Sequence, residues 1–273
     1  MPSTRGVEWD DRARLADAVG LPIRDGALDG QGHEEEGPVV DGPVHSHGGG
    51  RVRCNGGALV TTAGKVVLGM MGRLRPKPAT GDSASTIALP QVDPHGGMPL
   101  MEALAARRSS REFAPDPLPL PQLAGVLWAA YGVNRPEGGR TAPTAINAQE
   151  IDVFAALPTG AFLYEAAKNA LTLVAATDVR RVTGYQDFVD EAPLDLVYVA
   201  DHTRMRMVPA GQRDSYSSAA AGAICQNVYL YAAANGLATV IRAWIDRDAI
   251  AEALGLSHDQ QVLFSQTVGY PKR

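Results

Sequence analysis

The feature that most limits what this chain can fold into is the run Ser217 to Asn235. Ala221, Ile224, Cys225, Val228, Tyr229 and Tyr231 fall at helical spacing but not on a single stripe, so the predicted helix is apolar on more than one face. A helix of that kind has to be covered nearly all round, at the centre of the fold or against another subunit. Gly236 supplies its stop.

The segments that could provide the cover interleave irregularly. Ile151 to Ala156 and Leu194 to Ala200 have strand character, and Gly160 to Glu165 with Ala170 to Val174 reads as a hairpin. Val179 to Gly184 and Gln186 to Glu191 read as short helices. Thr239 to Ile245 is a further strand, Asp246 caps a helix through Ala253, and Gln261 to Gly269 closes the chain as a strand. Upstream, Pro99 to Ala106 and Leu120 to Tyr131 are predicted helices. Leu100, Met101 and Leu104 share a face of the first; Leu123, Val126, Leu127 and Ala130 fall at helical spacing in the second, which Gly132 ends. The pattern predicts an α+β fold with a small, mixed, mainly antiparallel sheet flanked by helices.

Composition divides the chain. Residues 1–85 are rich in Gly and Pro and carry Glu34 to Glu36 and the tract His45 to Gly50, so they read as a low-complexity, disordered extension, with at most a short helix at Arg12 to Val19. His33, His45 and His47 have no Cys or carboxylate ligand set at metal spacing and read as solvated loop. Residues 86–273 read as the folded domain. The chain is 45% hydrophobic, enough for a sizeable core, and its net charge of −5 argues against a nucleic-acid surface. Cys54 and Cys225 read as free thiols. No apolar run is long enough to span a membrane. Arg51 to Met71 faintly resembles a signal peptide but lies too far along and is broken by Lys65; the chain is therefore expected in the cytoplasm, with export to the periplasm as the alternative. Neither GxGxxG nor GxxxxGK[ST] occurs, so a separate nucleotide domain is not expected.

The chemistry concentrates in Met101 to Phe113, where Arg107, Arg108 and Arg111 surround Ser109 and Ser110. Guanidiniums this close repel unless an anion or carboxylates share the site, and their donor forks suit phosphate oxygens. A solvated basic helix end is the alternative.

Arg107-Arg-Ser-Ser-Arg-Glu-Phe113, the proline-rich turn Pro115 to Pro121, Thr141-Ala-Pro-Thr-Ala-Ile-Asn-Ala-Gln149 and Gln266-Thr-Val-Gly-Tyr-Pro271 occur in the order that resembles the flavin-dependent nitroreductase family. The resemblance implies a homodimer with FMN at the interface. It also implies hydride passing from NADH or NADPH through flavin N5 to a nitroaromatic, quinone or similar small acceptor in alternate half-reactions. Arg107 and Ser109 match the phosphate and ribityl contacts, and Arg108 holds a position often basic. Arg111 is placed to approach the pyrimidine carbonyl and N1, with a salt bridge to Glu112 or Asp116 as the ordinary alternative. Pro143, Thr144 and Asn147 match a loop reaching the opposite subunit's flavin, and Ala145 departs from it by lacking a hydroxyl. Ile241, Arg242 and Ala243 match the segment whose backbone amides face N5. Arg242 and Ala243 stand where Glu and Gly are frequent, so Arg242 is expected to set a cation beside the ring. Lys272 and Arg273 match basic residues that close over the phosphate.

No side chain is expected to act as nucleophile, since the flavin carries the chemistry. His202 reads as an inert loop histidine, Trp128 and Tyr131 as core, and Tyr185 and Phe188 as either a substrate wall or packing. Azoline dehydrogenases of the same family carry a Lys-Tyr pair where this chain reads Thr203 to Ala210, which ranks action on a peptide heterocycle low. A redox-silent flavin carrier or sensor is the alternative from another class.

Overall fold

The computed structural model describes residues 61–72 and 74–272. In chain order the elements are α1 (Thr62–Met70), β1 (Lys77–Pro78), β2 (Thr86–Ala88), α2 (Leu100–Ala106), α3 (Leu120–Tyr131), β3 (Ile151–Leu157), β4 (Gly160–Glu165), β5 (Ala170–Ala175) and β6 (Thr177–Asp178). There follow β7 (Leu194–Asp201), α4 (Ala210–Ala234), β8 (Ala238–Arg242), α5 (Arg247–Leu254) and β9 (Gln260–Gly269). Single 3-10 turns lie at Ala145–Asn147, Arg180–Thr183, Asp187–Asp190 and His202–Met205. No helix among the described residues is long and apolar enough to cross a membrane.

The main sheet has seven strands in the order β2-β5-β4-β3-β7-β9-β8. Every neighbouring pair is antiparallel, so the expected mixed sheet is corrected to a wholly antiparallel one. Tight turns join β3, β4 and β5, and α5 returns the chain from β8 to β9, whereas α4 carries it from β7 to β8, which run parallel on either side of β9.

Strand alternation sends two apolar sets to opposite faces. Ile151, Val153, Leu194, Leu196 and Tyr198 meet α3 and α4 through Leu123, Leu127, Ile224 and Val228. Phe154, Ala156, Val197 and Val199 meet Ile250 and Leu254 of α5 and Leu74. The long helix α4 is buried along one stripe through Ala221, Ile224, Cys225 and Val228, while Ala219, Gly222 and Gln226 are exposed, so the expected cover on nearly all sides is not provided within one chain. It begins at Ala210, earlier than the apolar run, because its polar first turns lie against solvent.

The Gln266 to Pro271 motif acquires a physical role here. Gln266 accepts from the Tyr198 hydroxyl at 2.6 Å and donates to Thr239 Oγ1 at 3.1 Å and to the Cys225 carbonyl at 3.3 Å, pinning α4 to β8 and β9. A Cβ on Gly269 would lie 2.7 Å from Pro193. Pro271 forms a bridge with Phe113, so the last residues run beside the arginine turn.

Two expectations change. Residues 61–72 and 74–85, expected as part of the extension, carry α1 and β1. Lys65, the charge that interrupts the apolar stretch, is wholly buried, its Nζ 3.0 Å from Asp190 Oδ2 and 3.0 Å from the Gln186 carbonyl. Lys77 and Arg181 also pair with Asp190, so one carboxylate fastens α1 and β1 to the fold. Conversely, Leu100, Met101 and Leu104 of α2 are 63%, 74% and 43% exposed, and only Ala103 of that helix is buried. The proposed helix at 12–19, the His33, His45 and His47 group, and Cys54 lie outside the described residues.

Candidate functional site

α2 ends at Arg107, whose backbone leaves the helix, and the turn that follows is fastened on both sides. Ser110 N–H donates to the Thr239 carbonyl at 3.0 Å, Ala114 N–H to Tyr270 at 2.9 Å, and Lys272 N–H to Glu112 at 3.2 Å. Phe113 is the hydrophobic nail: it is 2% exposed and its ring centroid lies 5.3 Å from that of Phe188.

The turn separates two clefts. Arg107, Arg108, Ser110, Tyr229, Thr239 and Pro271 line one of about 590 Å³, and no carboxylate lines it. Arg111, Lys272, Phe113, Gln186 and Phe188 line another of about 660 Å³, together with Glu112, Asp187 and Glu191. Both sizes fall in the roughly 300–1,000 Å³ range of small-molecule sites. Among the described residues Arg107, Arg108, Arg111 and Lys272 form no ion pair, so neither Glu112 nor Asp116 neutralises Arg111. Four unpaired cations around one turn are a donor set for a phosphate or another oxyanion.

Tyr229, which the sequence presents as one more residue of an apolar helix, is the polar centre of this region. Its hydroxyl lies 2.8 Å from Ser109 Oγ and accepts from the Ile241 N–H at 3.0 Å. The Arg107 guanidinium sits 5.4 Å over its ring. The only available signal was general: a buried tyrosine needs a partner for its hydroxyl.

β8 is an edge strand, and every second residue turns its backbone groups away from β9. Thr239 and Ile241 are the outward pair, already taken by Ser110 and Tyr229, so the alternation makes Ala243 the next outward N–H. The side chain of Arg242 departs from expectation. It is 5% exposed, with Nη2 2.5 Å from Asp195 Oδ1 and Nη1 2.9 Å from the Thr183 carbonyl, and its guanidinium lies 5.6 Å from the Phe188 ring centroid. It is an interior ion pair rather than an unpaired cation, because position 242 falls on the buried side of the strand. Burial lowers its pKa and raises that of Asp195, and each charge opposes the shift in the other. Gly184 is required beside it, since a Cβ there would lie 1.9 Å from Arg242 Nη1.

The loop carrying Pro143, Thr144 and Asn147 holds three non-glycine residues in the left-handed region: Ile146 at φ 49°, Asn147 at φ 53° and Gln149 at φ 49°. For β-branched Ile146 this is a strained conformation, and it is 68% exposed. The loop is braced from within. Arg140 Nε donates to Gln149 Oε1 at 3.0 Å, Gln149 Nε2 to Asn147 Oδ1 at 3.3 Å, and Gln149 N–H to Thr144 Oγ1 at 3.0 Å.

This loop is not brought to the arginine turn. Pro143, Thr144 and Ala145 share a shallow cleft with Tyr216, Ala219 and Ala220 of α4, whereas the turn meets Tyr229, Ala232 and Ala233. Ala219 and Ala232 are about 20 Å apart along the helix at a rise of 1.5 Å per residue.

Behind the loop Glu150 is wholly buried with neither carboxylate oxygen partnered among the described residues, and the Tyr131 hydroxyl is likewise unpartnered. Burial raises the pKa of Glu150, and burial followed by the Glu150 charge pushes Tyr131 up to about 12. His202 lies at the end of β7, with Nε2 3.8 Å from Asp214. Trp128 donates to the Val133 carbonyl and belongs to packing, Phe188 lines the Arg111 cleft, and Tyr185 packs at a 50° tilt against Trp244, ring centroids 5.2 Å apart. Burial pushes the Cys225 thiol up to about 12, so it is an inert core residue.

Comparison with known proteins yields a consistent picture. Residues 104–270 match the profile of the nitroreductase family. A nitroreductase-like protein of Ralstonia eutropha JMP134 is 49% identical; its crystal structure superposes with a TM-score of 0.71, covering 73% of this chain and 96% of that one. A nitroreductase-like protein of Methanocaldococcus jannaschii is 28% identical over 173 residues, 59% of this chain and 86% of its own. A chain of the Escherichia coli microcin synthetase complex is 18% identical with a TM-score of 0.54 over 76% of this chain and 92% of its own, a likeness of fold alone.

Proposed function

This chain belongs to the nitroreductase family of flavin-dependent oxidoreductases, and from that premise we propose that it binds FMN and transfers hydride from NADH or NADPH to a nitroaromatic, quinone or similar small acceptor. The observation that carries the reading is the set of four unpaired cations around the turn Arg107 to Arg111, with a cleft on either side. Their chemistry fits the cofactor: a phosphate monoester is a compact dianion, and a flavin's pyrimidine edge is rich in acceptors.

In this reading Arg107, Arg108 and Ser109 hold the phosphate, and Lys272, beyond the end of β9, adds a cation on the Arg111 side of the turn. Bound FMN supplies two-electron chemistry by taking up and releasing hydride. Arg111, without a carboxylate partner, stabilises negative charge gathered on the pyrimidine side and so favours the reduced state. The backbone N–H groups at the end of β8, Ala243 foremost, offer donors to the ring edge, while the Ile241 N–H is committed to Tyr229. Phe113 and Phe188 keep one wall of the Arg111 cleft apolar. In this reading protons come from solvent.

The active unit is a homodimer. Pro143, Thr144 and Asn147 stand about 20 Å along α4 from the arginine turn, so a second copy is needed for that loop to reach a flavin held there. Exposed Leu100, Met101, Leu104 and Ile146 support the same conclusion.

The test is the visible spectrum of the purified protein, followed anaerobically during addition of NADH and then NADPH. Yellow flavin bands that bleach are the expected result. Bands that persist point to a redox-silent carrier, and a colourless protein that cannot take up FMN removes the assignment.

A further inference from the structure

We propose that Tyr229 is a positioning residue whose hydroxyl relays a hydrogen bond from the edge of β8 to Ser109, leaving the Ser109 proton free to donate to an anion at the arginine turn. This deepens the FMN reading and rests on it for the identity of the anion.

The direction follows from what each group can do. A backbone N–H only donates, so at 3.0 Å the Ile241 amide gives its hydrogen to the Tyr229 oxygen. A phenol oxygen shares its lone pairs with the ring, and one that already accepts from an amide is a better donor than a second-time acceptor. The Tyr229 hydrogen therefore goes to Ser109 Oγ, 2.8 Å away. Ser109 then accepts within the chain, and its own hydrogen has no acceptor among the described residues. Amide, phenol and serine hydroxyl polarise one another in a single sense. The sequence ends beside Arg107, which lies over the Tyr229 ring, and Arg108, with no carboxylate lining their cleft.

With the opposite polarity Ser109 would donate into Tyr229 and present lone pairs to the anion, which repels it. One tyrosine from α4 thus decides whether the serine attracts or repels, and it ties the anion end of the site to the strand that carries Ile241 and Ala243. Tyr229→Phe keeps the ring, its packing and its place under Arg107 and removes the hydroxyl, and with it both the acceptor of the Ile241 N–H and the donor to Ser109.

The full-length chain, freed of cofactor, is titrated with FMN and with riboflavin, which lacks the phosphate, by flavin fluorescence. Tyr229→Phe is expected to weaken FMN about tenfold and to leave riboflavin within about twofold, with faster amide exchange at Ile241. Ser109→Ala is expected to weaken FMN similarly. The double variant should be no worse than Ser109→Ala alone, because Tyr229 acts on the anion only through the Ser109 hydroxyl. FMN bound by Tyr229→Phe as tightly as by the wild type, or more tightly, overturns the relay; so does an equal loss for FMN and riboflavin, which marks plain packing. A wild type that takes up neither flavin removes the cofactor reading instead. The relay is then judged with inorganic phosphate, through amide NMR shifts of Ser109 and Ser110: weaker saturation in Tyr229→Phe upholds it and unchanged saturation rejects it.

Discussion

Two groups of arginines lie on opposite sides of β8 and behave in opposite ways. Arg242, and Arg180 near it, are buried and paired, the first with Asp195 and the second with Asp178, where Nε and Nη2 grip both carboxylate oxygens. Arg107, Arg108 and Arg111 sit on the turn beside the same strand with no carboxylate partner among the described residues. The contrast separates a structural cation from a binding one. A buried guanidinium must have its charge met inside the protein, because the interior solvates it poorly, whereas a cation at a cleft keeps its donors available to a ligand.

The largest effect expected from this contrast is on folding. Arg242→Met leaves Asp195 buried and uncompensated and should remove about 3–5 kcal/mol of stability, read as a fall in the urea midpoint; adding Asp195→Leu should restore most of it. A single variant as stable as the parent would show that the pair is not what holds the end of β8. Arg107→Ala should do the reverse, changing stability by under about 0.5 kcal/mol while weakening FMN by roughly 10- to 100-fold, or about 1.5–3 kcal/mol. Flavin titration at two salt concentrations sharpens the distinction: the exposed cations are screened, so FMN affinity falls as salt rises.

Glu150 falls between the two groups, being buried and unpaired. Because burial raises its pKa, the folded chain holds this proton more tightly than the unfolded chain does. The associated stability is present below the ordinary carboxylate range and is lost as pH rises through the raised value. Glu150→Gln should therefore raise stability by about 1 kcal/mol at pH 7.5 and lose that advantage near pH 4. Thermal melts at both pH values check the sign, and an advantage confined to acid would contradict the burial argument.

The smallest expected effect is in the loop. Ile146→Gly relieves a strained φ on an exposed residue and should stabilise dilute protein by about 0.5–1 kcal/mol. If the loop is covered by a second copy, the same change weakens self-association, which sedimentation at several concentrations reads directly. Unchanged self-association would place the dimer contact elsewhere, for instance on the exposed face of α2.

The legible parts of this molecule are those that local chemistry decides. The hairpin of β4 and β5 follows from strand pattern and turn residues, the Asp246 cap accepts from Ala249 N–H at 3.0 Å as its residue type suggests, and Gly236 takes the left-handed conformation that ends α4. The arginine turn announced itself through charge density. Side-chain direction was less accessible. Arg242 reads like the other arginines until the strand is in register with β9 and Asp195 is beneath it. Lys65 reads as an interruption until Asp190, distant in sequence, is beside it, and Leu100, Met101 and Leu104 read as core although the helix turns them outward.

By itself, then, the amino-acid sequence determined that a long apolar helix would pack into the core, that alternating strands would supply a sheet, and that cations and hydroxyls would gather in one turn. These depend on periodicity and composition within a few neighbouring residues. Only the tertiary structure decided which cations are neutralised, that Tyr229 stands between Ser109 and Ile241, and that the loop at Pro143 lies far along α4 from the turn. The physical reason is that electrostatic pairing and hydrogen-bond direction depend on distances between groups far apart in the chain, and those distances exist only once the sheet has closed its register and α4 has docked upon it.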